Sequence, residues 1–589
     1  MLVAGLIPLA IWILLSGLDD LFIGLVFCLA RRDRVVWPAD TELDRTPERR
    51  IAILVPVWHE HRVIAQMLER NLSVIRYAHF DVFVGVYPND ELTVRAVTDT
   101  ARNHPRVHVI ACPHDGPTSK GDCLNWVYRE LQTYEEEHQV RFEVVTTHDA
   151  EDLIDPDSLR LINWFSRDYD MVQIPVLPLP TRTREMTHGI YCDEFAEFQS
   201  KDIPVRQRLG GFLPSNGVGT GYRRAALERL AAGRQGRIFD PECLTEDYEN
   251  GYRLHALGCS QIFVPLHFDR GVPAATREYF PRNLRAAVRQ RSRWVAGIVL
   301  QGWERHGWRG SWLQVYWFWR DRKGLAGNLI APLVNLIFLY GGVSYLLAAK
   351  GSEPWQIGHY LPHWLLRCSA ATLWIALFQA LLRIWCCSRV YGWAFAAGVP
   401  FRMLWGNVVN SAATAGALRQ FWKARRKRRK LLWLKTEHDY PSQVAVEKGR
   451  QRVGEILVRM RCVSMAELDE ALRSRPAGIR IGEHLILSQR ITEENLYQAL
   501  SSQAGIPLGL SEPTEVDRRT TRVWPAEVSR RWKALPYRVA AGELHVLTAE
   551  VPTREMIREL AALSSLELRF RLVRPQEFEA AARQYLPRR

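Results

Sequence analysis

Ten cysteines are spread over 589 residues without one CxxC pair. That excludes a zinc ribbon and argues against a disulfide-stapled scaffold; the thiols fit a reducing compartment. No Lys or Arg precedes the first apolar run and no small-residue cleavage site follows it, so a secretory signal is not expected. Helix-turn-helix and zinc-finger patterns are missing, and the basic stretches lack interleaved aromatics, so no nucleic acid is expected as a partner. With 47% hydrophobic and 24% charged residues, the chain is neither disordered nor fibrous. Cations are in surplus: 78 Lys and Arg against 64 Asp and Glu leave +14.

That surplus sits beside long apolar runs. Residues Leu2 to Leu18 carry no charge; Asp19 and Asp20 follow, then Leu21 to Ala30, then Arg31-Arg32-Asp33-Arg34. About 20 apolar residues cross ~30 Å of hydrocarbon, so residues 1–34 read as a spanning helix with its basic end inside. Asp19 and Asp20 are costly in mid-membrane and are expected near the inner interface or facing protein. Leu325 to Ala349 is a 25-residue uncharged run. His363 to Cys387 is a weaker one, bracketed by Arg367 and Arg383. Tyr391 to Leu418 is interrupted by Pro400, Arg402, Asn407 and Asn410. Basic segments on both sides of it place both ends on the cytoplasmic face, so an interfacial or re-entrant element is expected there. Residues 325–420 thus hold two spans and that element. A basic linker, 421–448, follows, with seven bases in the eight positions Lys423 to Lys430; beside anionic lipid each is worth about 1 kcal/mol. The expected topology is multi-pass in a bilayer, with residues 31–323 and 423–589 cytosolic.

The segment 45–320 alternates strand and helix patterns. Arg50 to Val57, Asp81 to Val86, Val107 to Ala111 and Phe142 to Thr147 read as buried strands, which predicts an α/β layer fold. Glu60, Asp90 and the cluster Asp149, Glu151 and Asp152 fall just past strand ends, where such folds place ligands. Any one of them alone reads more readily as a turn or cap residue; the functional reading rests on their sharing one crevice. Two carboxylates two residues apart suit one Mg²⁺ or Mn²⁺, which takes oxygen ligands and shares them with substrate phosphate. Thr245-Glu246-Asp247 reads either as a helix start or as the bearer of a general base. Gln290 and Arg293 share a helical face. Arg suits bidentate phosphate contact, and Trp294 offers a flat apolar face for a sugar ring. The competing reading is an amphipathic helix on anionic lipid, favoured for Trp308, Trp312, Trp317 and Trp319 just downstream. Ser215 to Tyr222 (SNGVGTGY) is Gly-rich but lacks the Lys of a P-loop.

VPVWHE (Val55 to Glu60), YPND (Tyr87 to Asp90), KGDCLN (Lys120 to Asn125), DAED (Asp149 to Asp152), TED (Thr245 to Asp247) and QRSRW (Gln290 to Trp294) occur in this order. The ordered set resembles the family 2 glycosyltransferases of the membrane-bound synthase type, over roughly residues 45 to 420. The resemblance implies a GT-A-type, Rossmann-like domain that transfers a hexose from a UDP-sugar to a growing glycan acceptor with inversion. It assigns Glu60, Asp90, Lys120 and Asp149 to the nucleotide sugar and Asp149 with Glu151 to the cation. Asp247 is the implied base, with Glu246, Gln290, Arg293 and Trp294 completing the catalytic set and SNGVGTGY beside the acceptor. Glu151 stands where the family has a second Asp.

The tail repeats itself at an offset of 28: Arg452-Val-Gly454-Glu aligns with Arg480-Ile-Gly482-Glu, Leu457 with Leu485 and Leu468 with Leu496. Each copy reads as a turn and two amphipathic helices, which alone predicts two packed helical hairpins. Residues 450–589 resemble the MshEN domain, whose two such motifs bind c-di-GMP. The resemblance implies an α+β domain and, as ligand contacts, Arg452, Gly454, Leu457, Leu468, Arg480, Gly482, Leu485, Leu496 and Gln503. The first copy departs from the pattern at Arg461 and Arg475. No Walker A motif occurs after the repeats in this sequence, so a secretion ATPase is not expected. A membrane transferase fused to such a tail is similar to the bacteriophage-adsorption protein B family. That resemblance implies a bacterial inner-membrane enzyme of exopolysaccharide synthesis or secretion, with c-di-GMP as regulator and an outer-membrane exopolysaccharide or phage-receptor partner. The alternative is a non-catalytic membrane scaffold that senses c-di-GMP.

Overall fold

The computed structural model describes residues 2–29, 35–234, 236–268, 273–351, 361–427, 453–460, 462–476, 478–504, 506–509, 516–540 and 543–586. Arg452 and most of the basic linker lie outside them. The chain forms two compact units, one drawn from residues 1–440 and the other containing residues 441–589.

Among the described residues of the first unit are nine strands: β1 (Ile51–Pro56), β2 (Phe80–Val86), β3 (Val107–Ala111), β4 (Val144–Thr147), β5 (Met171–Gln173), β6 (Val176–Pro178), β7 (Thr220–Arg223), β8 (Gln261–Phe263) and β9 (Thr276–Glu278). Seven form one mixed sheet in the order β3-β2-β1-β4-β7-β5-β8, and β6 pairs with β9. β1, β2, β3 and β4 run parallel; β7 is antiparallel to both β4 and β5. β1 is buried along nearly its whole length, which is why it reads as an unbroken apolar run. Helix Lys120–His138 lies against β1 and β2. Gly85 of β2 permits the contact: a Cβ there would stand 2.5 Å from Val127 Cγ2 and 2.6 Å from Cys123 Sγ. The chain leaves β1 toward β2 and β3, then returns to place β4 on the other side of β1. The strand order therefore switches between β1 and β4, and such switch points open a crevice at the strand carboxyl ends.

Among the described residues three apolar stretches are long enough to cross a membrane: Leu6–Leu29, Trp312–Lys350 and His363–Tyr391. Helices Leu2–Leu29 and His363–Tyr391 approach closely at Gly24, where a Cβ would lie 2.8 Å from Phe378 Cε1; small residues serve such contacts where lipid offers no hydrophobic drive. Asp19 and Asp20 face protein rather than lipid. Lys323 Nζ donates to both at 2.7 Å, Tyr316 donates to Asp19 at 2.8 Å, and Arg320 pairs with both.

No re-entrant turn forms where one was allowed for over 391–418. After a single turn, Trp393–Ala396, the chain continues as one 28-residue helix, Val399–Arg426. Two polar contacts seven residues apart on each partner, Asn328 to Thr414 (3.1 Å) and Asn407 to Asn335 (3.2 Å), set it antiparallel to helix Gly324–Lys350. Its other face holds a buried bidentate pair, Arg402 with Asp193 at 2.7 and 2.8 Å. The polar residues that interrupt the apolar run are thus its packing contacts.

In the second unit the repeats are helices of matching register: Val453–Arg459 and Met465–Ser474, then Ile481–Leu487 and Glu493–Ala504. Ser464 caps the second helix, accepting from the Glu467 N–H while the Glu467 carboxylate accepts from the Ser464 N–H. A sheet of β10 (Ala534–Ala540), β11 (Glu543–Thr548) and β12 (Glu567–Leu572) follows, antiparallel then parallel, with helices Arg554–Ala561 and Pro575–Tyr585. The unit is α+β, with a helical core around Leu457, Leu468, Leu485 and Leu496 and a sheet core around Leu544, Val546 and Phe570.

Candidate active site

The crevice at the β1–β4 switch is lined by Glu60 and Trp58 from the turn after β1, Tyr87 after β2, Lys120, Asp149 and Glu151 after β4, and Arg293. Lys120 occupies the first turn of its helix, behind a Ser119 cap, and its Nζ lies 2.5 Å from Asp149 Oδ1. Burial alone would lower the Lys120 pKa, but Asp149, Glu246 and Asp247 hold the ammonium charged well above its usual range. Gly217 joins the far side. Its backbone sits at φ +78°, and a Cβ there would lie 2.6 Å from Asp247 Oδ2 and 3.4 Å from Lys120 Nζ. Only a residue without a side chain lets that loop reach Lys120 and Asp247 together. Carboxylates nearly 100 residues apart in sequence thus meet around one lysine.

Glu246 and Asp247 open helix Glu246–Ala256, with Thr245 at the cap position but its hydroxyl making no cap bond. Burial, then repulsion from Asp247, pushes Glu246 up to about 7. Burial also raises Asp247, against the pull of Lys120 and Arg293. A carboxylate with raised proton affinity suits proton removal near neutrality.

Asp149 and Glu151 are oxygen donors on one wall, as a hard divalent cation requires. Asp152 faces inward: it is fully buried, shares a 2.7 Å hydrogen bond with His148 Nδ1 and accepts the Asp149 N–H at 3.1 Å. Burial drives His148 down to about 3, so it is neutral at physiological pH. Glu151, not Asp152, is therefore the second candidate ligand. No cluster of three or more His, Cys, Asp or Glu that could hold a metal occurs among the described residues, so a cation here would draw its remaining ligands from substrate and water.

Other expected residues lie elsewhere. Asp90 does not line the crevice. Its carboxylate accepts the His59 N–H at 2.6 Å and caps helix Glu91–Asn103 through the Thr93 N–H at 3.4 Å. The turn-and-cap reading describes its contacts, and through His59 it shapes the loop bearing Glu60. Gln290 is buried in helix Leu284–Trp294, and its Oε1 finds no hydrogen-bond partner among the described residues. Trp294 turns away from the crevice into an aromatic cluster with Tyr191, Phe195 and Phe280, at ring distances of 6.1 to 6.3 Å. The ring is partly buried against that cluster.

Two glutamines escaped the sequence reading. Gln173, at the end of β5, accepts the Asn216 N–H (2.9 Å) and the Thr220 hydroxyl (2.8 Å) and donates to the Val218 carbonyl (2.9 Å), which shapes the loop carrying Gly217. Gln301, in the wide-turned helix Val295–Gln301 that follows Trp294, accepts the Leu244 N–H and donates to the Glu242 carbonyl, both at 3.0 Å, so it holds the segment leading to Thr245. Gly297 of the same turn leaves room for Thr245, whose Oγ1 would meet a Cβ at 2.5 Å.

In the C-terminal unit, Leu457, Leu468, Leu485 and Leu496 are core residues, 0 to 8% exposed. The repeat glycines accommodate them: a Cβ on Gly454 would stand 2.6 Å from Leu468 Cδ1, and one on Gly482 2.4 Å from Leu496 Cδ1. Arg480 is exposed at the start of helix Ile481–Leu487, and Gln503 lies on helix Glu493–Ala504.

Residues 47–297 match the model of the glycosyltransferase like family 2, and residues 504–589 match the MshEN domain, beginning where the second repeat ends. Bacteriophage adsorption protein B of Escherichia coli K12 is 35% identical over 568 residues, covering 92% of this chain and 76% of that protein. Bacteriophage N4 adsorption protein B of Escherichia coli O157:H7 matches to the same extent. Similar solved structures include a mannosyltransferase from Pyrobaculum calidifontis in complex with GDP-Man and Mn²⁺, at 19% identity and TM-score 0.41 over 69% of this chain and 99% of that one. MshE with cdg is another, at 24% identity and TM-score 0.22 over 23% of this chain and 99% of that one. With a glycosyltransferase family 2 domain, helices able to cross a membrane on both sides of it and a C-terminal MshEN domain, the chain belongs to the bacteriophage adsorption protein B family.

Proposed function

We propose that this protein is an inverting hexosyltransferase of the bacterial inner membrane that uses a UDP-sugar and a divalent cation to extend an exopolysaccharide from the cytosolic side. The observation that carries the reading is the meeting of Asp149, Glu246 and Asp247 around Lys120 at the β1–β4 switch. Asp149 and Glu151 would hold Mg²⁺ or Mn²⁺, which as a Lewis acid offsets charge on the departing diphosphate. Lys120 and Arg293 add positive charge on the same wall. Asp247 takes the acceptor hydroxyl's proton, with Glu246 holding its own proton near neutrality beside it. Gly217 lets the acceptor come within reach of that base. Asp247 as the one base, with Glu246 beside it holding a proton, corresponds to direct displacement.

The MshEN domain would bind c-di-GMP and set the transferase's activity, and the product would pass to an outer-membrane partner. The names of the relatives support a cell-surface role. Release of UDP from a panel of UDP-sugars by the full-length protein in detergent, with and without Mn²⁺ and c-di-GMP, tests the proposal. Metal-dependent release with one sugar supports it. Absence of release with every sugar, with or without c-di-GMP, leaves the non-catalytic scaffold.

A further inference from the structure

This inference rests on the proposed donor site and concerns how its cation and its nucleotide come together. Lys120 Nζ is 2.5 Å from Asp149 Oδ1, and the two side chains are only 18% and 28% exposed. Asp149 is also the carboxylate that a cation needs on this wall, because Asp152 behind it is turned to His148 and to the Asp149 N–H. A divalent ion and an ammonium cannot occupy the same carboxylate oxygen, and as like charges a few ångströms apart they repel in a half-buried site. Asp247 acts on the lysine only through its charge, from beyond ion-pair distance, across the loop of Gly217, where a Cβ would lie 3.4 Å from Lys120 Nζ and 2.6 Å from Asp247 Oδ2. Lys120 therefore has Asp149 as its ion-pair partner and needs another anion if it is to give that partner up.

We propose that Lys120 is a displaceable counter-ion: it competes with the divalent cation for Asp149, and the donor's diphosphate releases it by supplying a second anion. Cation and nucleotide then assemble the site together, each raising the other's affinity by the same factor, as linkage demands. Before both arrive, Lys120 keeps Asp149 neutralised and disfavours a bare cation that would hold the crevice without substrate. Direct ligation of the cation by phosphate would also produce mutual tightening. The distinguishing quantity is therefore cation affinity without nucleotide. A lysine that only grips phosphate does not affect it; a competing lysine weakens it.

The test is Mn²⁺ binding to the full-length protein in detergent, read from the electron paramagnetic resonance of free Mn²⁺, with and without UDP. In the wild type, UDP should tighten Mn²⁺ by about tenfold or more. In Lys120→Met, Mn²⁺ alone should bind about tenfold more tightly than to the wild type, and the further tightening by UDP should shrink. Arg293→Met removes the same charge from the same crevice and should tighten nucleotide-free Mn²⁺ markedly less. The proposal is overturned if Lys120→Met binds Mn²⁺ no better than the wild type, if Arg293→Met matches it, or if UDP leaves wild-type affinity unchanged. Should the wild type bind no Mn²⁺ even with UDP, the metal-assisted reading fails as well. If it binds with UDP and Lys120→Met shows no gain, only the displacement fails.

Discussion

At the carboxyl ends of β1 and β4 the motif residues are charged and turned toward one another: Asp149 to Lys120, Lys120 and Asp247 to the loop of Gly217, Glu246 pushed up to about 7 by its surroundings. In the C-terminal unit the motif residues are glycines and leucines that fill a core, each glycine making room for one leucine. Both regions announce themselves as short ordered motifs. In the first, the motif marks groups held in an electrostatically costly arrangement, the usual mark of a site. In the second, the leucines and glycines mark the packing of a repeated hairpin, with Arg480 exposed beside it. A short motif does not by itself say which kind of residue it preserves.

The sharpest way to break this comparison is to separate chemistry from stability. Asp247→Asn should lower UDP release by about 10² to 10⁴-fold while thermal unfolding of the full chain stays unchanged or rises, because a carboxylate whose charged form its partly buried surroundings disfavour has been removed. Parallel losses of both would make Asp247 a structural residue. Leu485→Ala should do the reverse. It deletes a fully buried side chain and should cost the helical part of the C-terminal unit about 2 to 5 kcal/mol, seen as lost hydrogen-exchange protection across residues 453–504, with donor turnover in the absence of c-di-GMP retained. Gly482→Ala should cost about 1 to 3 kcal/mol by overpacking against Leu496, read in the same exchange experiment. A neutral outcome there would mean that the glycine serves the ligand rather than the core.

A smaller effect sharpens the first half. Glu246 moves from an ordinary 4.5 up to about 7 on folding, chiefly through burial. Between those values the folded protein keeps a proton that the unfolded chain releases. Its contribution to stability is therefore full below the lower value and is lost as pH rises toward the upper one. Glu246→Gln should flatten that part of the stability–pH curve, measured by chemical denaturation at stepped pH. An unchanged slope would show that Glu246 does not carry it.

Much of this was legible in the chain. β1 to β4 appeared as apolar runs because parallel strands are buried on both faces, and the two repeats appeared because identical hairpins need identical glycines and leucines. β5 to β9 did not: three or four residues carry no usable period, and their place depends on pairing with distant strands. Asp90 was open to two readings until its neighbours His59 and Thr93 were seen to take its oxygens. Gln173 and Gln301 had no local signal, since each acts across more than 40 residues on a loop that it holds. Trp294 was assigned to a sugar by its type and by the family motif; its ring, partly buried, packs beside Tyr191, Phe195 and Phe280. Helix Val399–Arg426 was obscured by polar residues whose partners lie on other helices.

The account turns on Asp149 and Lys120 forming the seat of a nucleotide diphosphate and its cation. Calorimetry of UDP against the full-length protein in Mn²⁺, beside Asp149→Asn, tests this most directly. Saturable binding to the wild type, weakened at least about tenfold by the substitution, is the expected result. UDP that fails to bind, or that binds both proteins alike, would contradict it.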